Sequence, residues 1–248
     1  EYKKTYTPKP KHILRAAKTA MQRINFLSEA KISTGKILDI GAGGGEFTCL
    51  SQKMGFESQG IEPNVGYSEY AKNEYDCDIR QGELEDIEGQ YEVITIFHVL
   101  EHLPSPTKAF ERLHHLLKED GILFVEVPWI ETNDASPHNI FFKAHIFYFS
   151  VDTLISCASQ YFDVMKVDTT SNLKILFRAK KDPTPIELPP STSADAIRVR
   201  IKEKGWVEYL FKGQGLLKPI RKVVRSFAES KVKKLSGKQI IDIIFKQY

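Results

Sequence analysis

The chain has 248 residues, of which 42% are hydrophobic and 11% aromatic. This composition supports a hydrophobic core and excludes a largely disordered chain. The formal net charge of +3 hides an uneven distribution, because residues 1–197 carry 21 Lys and Arg against 28 Asp and Glu, whereas residues 198–248 carry 14 against 4. We therefore expect an acidic body followed by a basic C-terminal segment.

The three cysteines, Cys49, Cys77 and Cys157, are widely spaced and form no C-x-x-C pair. An odd number of isolated cysteines argues against a disulfide framework or a zinc knuckle and favours a reducing compartment. No apolar run reaches the length of a transmembrane helix. We expect a cytoplasmic protein, with attachment to a membrane surface left open.

Helical and strand patterns alternate through the first half of the chain. Apolar residues at three- and four-residue steps predict an amphipathic helix over residues 10–30. Strands are then predicted over residues 36–40, 56–62, 77–81, 91–97 and 121–127. Helices are predicted between them over residues 47–54, 65–75 and 104–118. This alternation is typical of the doubly wound α/β fold with a parallel sheet.

Two further strands are predicted over residues 162–168 and 173–180, after a helix over residues 151–160 for which Ser150 supplies the N-cap. The strand total is then seven. In an open α/β sheet, ligands bind beyond the carboxyl ends of the strands. Those ends are therefore the place to look for a site.

The first predicted strand runs into a glycine turn. Gly41, Gly43 and Gly44 leave room for a ligand against the backbone, and free N–H groups of the next helix point to the same place. Glu46 stands where a dinucleotide-binding fingerprint has its third glycine. The negative charges of Glu46 and Asp39 would repel a pyrophosphate but not a cation. The turn therefore suits a ligand with no phosphate and some positive charge.

Residues 37–45 resemble the first motif of the class I S-adenosylmethionine (SAM) methyltransferases, whose cofactor is a sulfonium cation with an adenosine and no phosphate. The resemblance covers about residues 10–181 and implies a Rossmann-like, mostly parallel sheet. It places part of a SAM site on Asp39, Gly41, Ala42 and Gly43. It also assigns Glu62, followed by Pro63, as the acid that accepts hydrogen bonds from both ribose hydroxyls.

Two later stretches extend the resemblance. Residues 82–87 stand where the family binds adenine, and Glu83 with Leu84 fits best, although Glu85 is an alternative and a solvated acidic loop fits equally well. Residues 98–103 resemble a branch shared by quinone-biosynthesis O-methyltransferases and sugar or surface-glycan methyltransferases. That resemblance adds His98 and Val99 to the expected cofactor site.

Methyl transfer to a hydroxyl depends on alignment and is helped by a positioned base, most often histidine. His145 and His138 follow the fifth strand, where the resembled family builds its acceptor pocket, and we expect one of them to be that base, His145 first. We assign no metal ligand. An alternative exists because small-RNA 3′-terminal 2′-O-methyltransferases hold a divalent ion with E-x-x-E-H and a later His. Here His98 replaces the first Glu, ahead of Glu101 and His102, and His145 is the candidate for the later His.

These observations predict a SAM-dependent methyltransferase that acts on a small hydroxylated acceptor. Family analogy favours a sugar or sugar-nucleotide of surface-glycan biosynthesis. The alternatives are a divalent-metal-dependent O-methyltransferase, of the quinone or RNA 2′-O type, and a non-catalytic SAM-binding subunit. The acidic body argues against a nucleic-acid partner.

Prolines between residues 182 and 193 predict a linker. It would separate a methyltransferase domain, residues 1–181, from a basic helical extension, residues 194–248. Within the extension, residues 201–211 are predicted to be helical, and a second helix with one apolar and one basic face is predicted after Pro219. We expect this extension to pack on the body or to join two copies of the chain, with an anionic membrane surface as the next alternative and nucleic acid as the last.

Overall fold

A computed structural model of the protein describes residues 6–136, 141–213 and 215–248. The described strands are β1 (Lys36–Ile40), β2 (Glu57–Glu62), β3 (Ile79–Gln81), β4 (Tyr91–Phe97), β5 (Leu117–Val127), β6 (Phe162–Asp168) and β7 (Leu173–Ala179). The described α-helices are α1 (Pro10–Glu29), α2 (Glu46–Lys53), α3 (Val65–Tyr75), α4 (Pro106–Leu116), α5 (Val151–Ala158), α6 (Ser193–Glu203), α7 (Trp206–Phe211), α8 (Lys218–Lys231) and α9 (Gly237–Phe245).

The strands form one sheet in the order β3-β2-β1-β4-β5-β7-β6. β2 pairs in parallel with β1 and β3, whereas β7 runs antiparallel to β5 and β6. Residues 93–97 of β4 are all buried, as expected for a strand of a parallel sheet that is covered on both faces. The predicted α/β class, with seven mostly parallel strands and helices in the C-terminal extension, is confirmed.

Contacts divide the chain into two compact units. The first unit comprises the chain up to Thr95 together with Val223–Tyr248, and the second comprises Ile96–Lys222. These contact-based units do not test the predicted domain boundaries at residues 181 and 193, which stay predictions.

In the first unit, the C-terminal helix packs against the N-terminal one. α9 contacts α1, α2 and α3. Its buried face consists of Gly237, Ile240, Ile241 and Ile244. The side chain of Ser236 accepts a hydrogen bond from the N–H of Gln239 and so caps the start of this helix.

In the second unit, β7 lies between β5 and β6, and α4 packs against β5. An aromatic cluster fills the core, because the ring of Phe110 on α4 lies 5.9 Å from Phe162 and 6.0 Å from Phe177. The pairing of β5 with β7 sets Leu173 opposite Val127. In this register, the residue that precedes β7 lies beside the carboxyl end of β5.

Most local predictions are confirmed, and two need correction. Ser150 caps α5 by accepting a hydrogen bond from the N–H of Thr153 at 3.2 Å. The helix predicted over residues 201–211 is interrupted between α6 and α7, where Gly205 is extended, in keeping with the low helix propensity of glycine. The helix predicted to reach residue 118 ends at Leu116, and Leu117 begins β5.

Candidate functional site

The turn after β1 leaves its backbone open to a ligand. Gly41 and Gly43 have left-handed φ angles of 70° and 54°, which glycine adopts without steric cost. The N–H of Gly41 donates to the carbonyl of Ile61 at 2.9 Å, which holds the turn against β2. A Cβ built on Gly43 would meet no atom within 4 Å. A ligand therefore has room to lie directly against this backbone.

Glu62, at the carboxyl end of β2, is the acidic residue whose side chain contacts this turn. The residue is 8% exposed. Oε2 accepts from the N–H of Gly43 at 2.9 Å, and Oε1 accepts from the N–H of Asn64 at 2.9 Å. Because each carboxylate oxygen has two lone pairs, each can accept one more hydrogen bond. The structure thus presents two oriented acceptor positions, which fit a pair of neighbouring hydroxyls.

Ala42 is held by a close approach of the turn to β2. Its N–H donates to the carbonyl of Ile61 at 3.0 Å. A Cβ on Gly60 would lie 2.8 Å from the Cβ of Ala42. The absence of a side chain at Gly60 is therefore what lets the turn close over the strand.

Asp39 is buried, and both of its carboxylate oxygens have partners. Oδ1 accepts from the hydroxyl of Thr95 at 2.8 Å, and Oδ2 accepts from that of Thr48 at 3.2 Å. Burial raises the pKa of Asp39 to about 6, although the Thr95 hydrogen bond works in the opposite direction. These contacts tie β1 to α2 and β4, so the structure supports a role in positioning the turn. Direct contact of Asp39 with a cofactor stays a prediction.

Glu46 differs from its predicted role. The sequence predicts a full negative charge beside the ligand, but burial raises the pKa of Glu46 to about 7, against a hydrogen bond from Tyr75 that lowers it. Its carboxylate oxygens lie 2.9 and 3.0 Å from the place that a Cβ on Gly44 would take. Gly44 therefore makes room for Glu46 rather than for a ligand, and Glu46 contributes less charge than expected.

The predicted adenine segment lies beside Glu62. The N–H of Gly82 donates to the carbonyl of Glu62 at 3.3 Å, which places the following turn next to the end of β2 and its neighbour Pro63. The N–H of Glu83 donates to Asp86 at 2.8 Å, and its side chain is exposed, whereas Leu84 is buried. Their contacts with adenine stay predictions.

The second unit brings together histidines and buried carboxylates. His98 follows β4 with a left-handed φ of 56°, and its N–H donates to the carbonyl of Glu126 on β5 at 2.8 Å. Its Nδ1 lies 3.4 Å from Glu101 Oε1, and its Nε2 lies 3.4 Å from Glu126 Oε1. Burial works to lower the pKa of His98, but the two carboxylates outweigh it and raise the pKa to about 9. The two acids therefore favour the protonated form of His98, and half-buried Val99 follows it.

Glu101 is the centre of this cluster. It is 0% exposed, and neither carboxylate oxygen has a hydrogen-bond partner among the described residues. Besides His98, Nε2 of His145 lies 3.9 Å and Nε2 of His102 lies 4.0 Å from Glu101 Oε1. Nδ1 of His102 lies 2.9 Å from the carbonyl of Ala144, and a proton on Nδ1 leaves the lone pair of Nε2 facing Glu101.

Ligand atoms of Glu101, His102 and His145 lie within 4.8 Å of one another. A buried carboxylate without hydrogen bonds is unusual and points to a missing partner. Two imidazoles and a carboxylate are a ligand set that suits zinc or a transition ion better than magnesium. The residues therefore fit a divalent cation.

His145 is held in the loop after β5 by aromatic rings. The ring centroids of His102, Phe142 and Tyr148 lie 4.9, 5.0 and 5.5 Å from that of His145. Burial lowers the pKa of His145, so its neutral form is favoured. The other predicted base, His138, lies outside the described residues.

Two residues of the cluster were not predicted from the sequence. Nδ2 of Asn172 donates to Glu126 Oε1 at 2.6 Å and lies 3.1 Å from Nε2 of His98. The sequence does offer a signal for Glu126, since it is the one acid in the apolar run over residues 121–127. No local signal indicates Asn172, which reaches the cluster through the pairing of β7 with β5.

Residues 12–161 match the family described as "Methyltransferase domain". The chain belongs to this methyltransferase family. Among curated proteins, it is 30% identical over 113 residues to a ubiquinone biosynthesis O-methyltransferase of Pseudomonas aeruginosa, which covers 42% of this chain and 49% of that protein. The protein of the same name from Actinobacillus pleuropneumoniae is 33% identical over 102 residues, covering 36% and 44%. The chain thus spans about half the length of the curated relatives it matches.

Solved structures show the same fold as this methyltransferase domain. Magnesium protoporphyrin IX methyltransferase from Synechocystis with bound SAH, the demethylated form of SAM, superposes with a TM-score of 0.55 at 12% identity, covering 66% of this chain and 84% of that one. A protein from Pyrococcus horikoshii gives 0.53 at 16% identity, covering 64% and 91%. Within the methyltransferase domain, the glycine turn with Glu62 belongs to the first unit and the histidine cluster to the second.

Proposed function

We propose that this protein is a SAM-dependent methyltransferase that acts on a small hydroxylated acceptor. The observation that carries the proposal is the carboxylate of Glu62, fixed by the N–H groups of Gly43 and Asn64 beside open backbone. An ionised acid with two remaining acceptor positions suits the two hydroxyls of an adenosine ribose. Membership in the methyltransferase family supports the same cofactor.

Bound SAM would supply a methyl group on a positively charged sulfur. The residues proposed to hold it are Asp39, Gly41, Ala42, Gly43, Glu62, Pro63, Glu83, Leu84, His98 and Val99. In this proposal Glu62 fixes the ribose, Glu83 and Leu84 meet the adenine, and the turn at Gly43 accommodates the cofactor against the backbone. None of these contacts involves a phosphate.

On the acceptor side, we assign His145 as the base that removes the hydroxyl proton. Burial lowers its pKa, so that it is ready to accept a proton at neutral pH. The imidazolium formed would be stabilised by Glu101, whose Oε1 lies 3.9 Å from Nε2. The acceptor oxygen would take the methyl group as its bond to the sulfur of SAM breaks and SAH leaves, while His145 would take the hydroxyl proton.

The acceptor class rests on family analogy. Residues 98–103 resemble a branch shared by quinone-biosynthesis O-methyltransferases and sugar or surface-glycan methyltransferases, and within it we propose a sugar or sugar-nucleotide as the leading acceptor. The curated relatives carry the name ubiquinone biosynthesis O-methyltransferase, which favours a hydroxylated ring of quinone type equally well. Both are hydroxylated small molecules, and the proposal covers this shared chemistry.

A second candidate, a divalent-metal-dependent O-methyltransferase, is favoured by the buried carboxylate of Glu101. Glu101, His102 and His145 would hold the ion, with His98 beside them. A bound cation would lower the pKa of an acceptor hydroxyl and remove the need for a histidine base. In this mode His145 is a ligand instead of a base.

One assay separates these candidates. The full chain is incubated with SAM and a panel of sugar nucleotides and dihydroxylated aromatic acceptors, and products are detected by a mass increase of one CH₂. Activity that survives a chelator supports His145 as the base, whereas activity lost to the chelator and restored by zinc or another transition ion supports the metal mode. Binding of SAM without turnover of any acceptor would favour a non-catalytic SAM-binding subunit.

A further inference from the structure

The most prominent surface feature outside the methyltransferase site is on α8. Ile220, Val223, Val224 and Phe227 are spaced so that they share one face of this helix, and we call them the apolar stripe. They are 64%, 71%, 66% and 66% exposed. Contiguous apolar faces of this kind are rare on proteins that bind nothing there. We therefore expect another molecule to cover the apolar stripe.

The charged face of the same helix is turned towards the protein. Glu229 lies on the side of α8 opposite the apolar stripe, and its side chain is mostly buried. Arg15 of α1 pairs with it at 2.6 Å, and Arg225, one turn earlier on α8, lies 3.5 Å from it. This anchoring reverses the usual arrangement, because the ionic face meets the protein and the apolar face meets solvent.

The segment that carries the apolar stripe is strongly basic. Between residues 209 and 241 the chain carries nine basic residues and a single acid, Glu229. The basic residues are Lys212, Lys218, Arg221, Lys222, Arg225, Lys231, Lys233, Lys234 and Lys238. Nζ of Lys231 lies 4.7 Å from the ring centroid of Phe227, so positive charge reaches the end of the stripe itself.

The positive charge of this segment favours one kind of binding partner for the apolar stripe over another. If two copies of the chain joined through their apolar stripes, their basic residues would be brought together and would repel one another. An anionic bilayer instead offers apolar volume just below a layer of phosphate groups. Lysine and arginine side chains are long enough to extend from the helix to that layer. None of the helices in the described part of the chain is long and apolar enough to cross a membrane.

We propose that α8 attaches this protein to the surface of an anionic lipid bilayer. The helix lies in the plane of the headgroups, with the apolar stripe at the boundary of the acyl chains and basic side chains of the same segment, Lys231 among them, at lipid phosphates. This surface function is independent of the proposed methyl transfer.

Flotation of the full chain with vesicles tests the proposal. We expect binding to vesicles of phosphatidylcholine mixed with phosphatidylglycerol, weak binding to phosphatidylcholine alone, and a loss of binding as salt is raised. The double variant Val223→Ser/Phe227→Ser should bind about tenfold more weakly or worse, since it loses two apolar anchors. The matched control is Leu188→Ser, because Leu188 is 81% exposed and lies outside α8.

Two results would overturn the proposal. One is binding to anionic vesicles that the double variant leaves unchanged. The other is a wild-type chain that does not bind vesicles but sediments as a dimer, with the double variant sedimenting as a monomer. In that case the apolar stripe joins two copies of the chain. Circular dichroism of each variant checks that the fold is retained, which is expected because both substituted side chains are exposed.

Discussion

Glu62 shows how a single side chain acquires a function from its surroundings. Its place at the end of a strand and its spacing from the glycine turn are visible in the sequence. The structure adds the two backbone N–H groups that orient the carboxylate. A freely rotating glutamate would pay conformational entropy on binding, whereas this one is already ordered. The preorganisation is what makes it suited to hold a ribose.

The residues that sequence reasoning missed are reached through distant pairing. Glu126 and Asn172 are 46 residues apart, and they meet because β7 folds back along β5. Periodicity and spacing report on neighbours along the chain and carry no such information. Burial is equally invisible locally, which is why Glu46 was predicted to be charged although its pKa is raised to about 7.

Substitution of His145 tests its role as a base. We expect His145→Ala to bind SAM with nearly wild-type affinity, because the side chain is assigned to the acceptor, and to turn over about a hundredfold more slowly or worse. Since the base must be neutral and burial lowers the pKa of His145, wild-type turnover should be level at neutral pH and fall only below the ordinary histidine value of about 6.5. The measurement is a pH–rate profile of both proteins with the best acceptor. A variant that keeps most of its activity would remove His145 from catalysis.

Substitution of Glu46 tests the cost of burying its carboxyl group. The pKa is about 7 in the folded protein and near 4.5 when unfolded, so folding favours the protonated form. This contribution is fully present below about pH 4.5 and is lost as the pH rises through 7. Glu46→Gln should therefore gain stability over the wild type with rising pH, by roughly 3 kcal/mol at pH 8.

Urea unfolding at pH 5 and pH 8 measures this difference. The control is Glu57→Gln, because Glu57 is exposed at the start of β2 and its substitution should change stability little at either pH. A Glu46→Gln protein that is less stable than the wild type at pH 8 would contradict the account.

At the scale of elements, strongly patterned segments are predictable and short terminal ones are not. The bounds of α3, β4 and β6 agree with the sequence prediction. α9 was not singled out within the extension predicted to be helical, although α2 and α5, with 8 residues each, were predicted. Its stability comes from tertiary packing against α1, α2 and α3 rather than from its own propensity.

Two isoleucines of α9 allow a buried and an exposed position of the same helix to be compared. Ile241 is 0% exposed and Ile243, on the other face, is 40% exposed. We expect Ile241→Ala to lower the free energy of unfolding by about 2–5 kcal/mol through the cavity it leaves. Ile243→Ala should lower the free energy of unfolding much less, by an amount typical of surface substitutions. Equal effects of the two substitutions, measured by urea unfolding, would show that α9 does not pack as described.

At the scale of the whole molecule, the sequence predicts the fold class but not the ion pair that links the N-terminal and C-terminal parts of the chain. Alternating strands and helices predict the α/β sheet because each element carries its own period. The ion pair between Arg15 and Glu229 spans 214 residues, and no local pattern indicates it. The last helix of the predicted basic extension packs into the first unit, where it contacts α1, α2 and α3.

The cofactor claim is tested most directly by calorimetric titration of the full chain with SAM, with SAH and with NAD. We predict binding of SAM and SAH and none of NAD. Glu62→Gln should weaken SAM binding about tenfold or more, since a charge-assisted hydrogen bond contributes roughly 1.5–3 kcal/mol. The exposed Glu57→Gln should bind SAM like the wild type. Tight binding of NAD without binding of SAM or SAH would contradict the account.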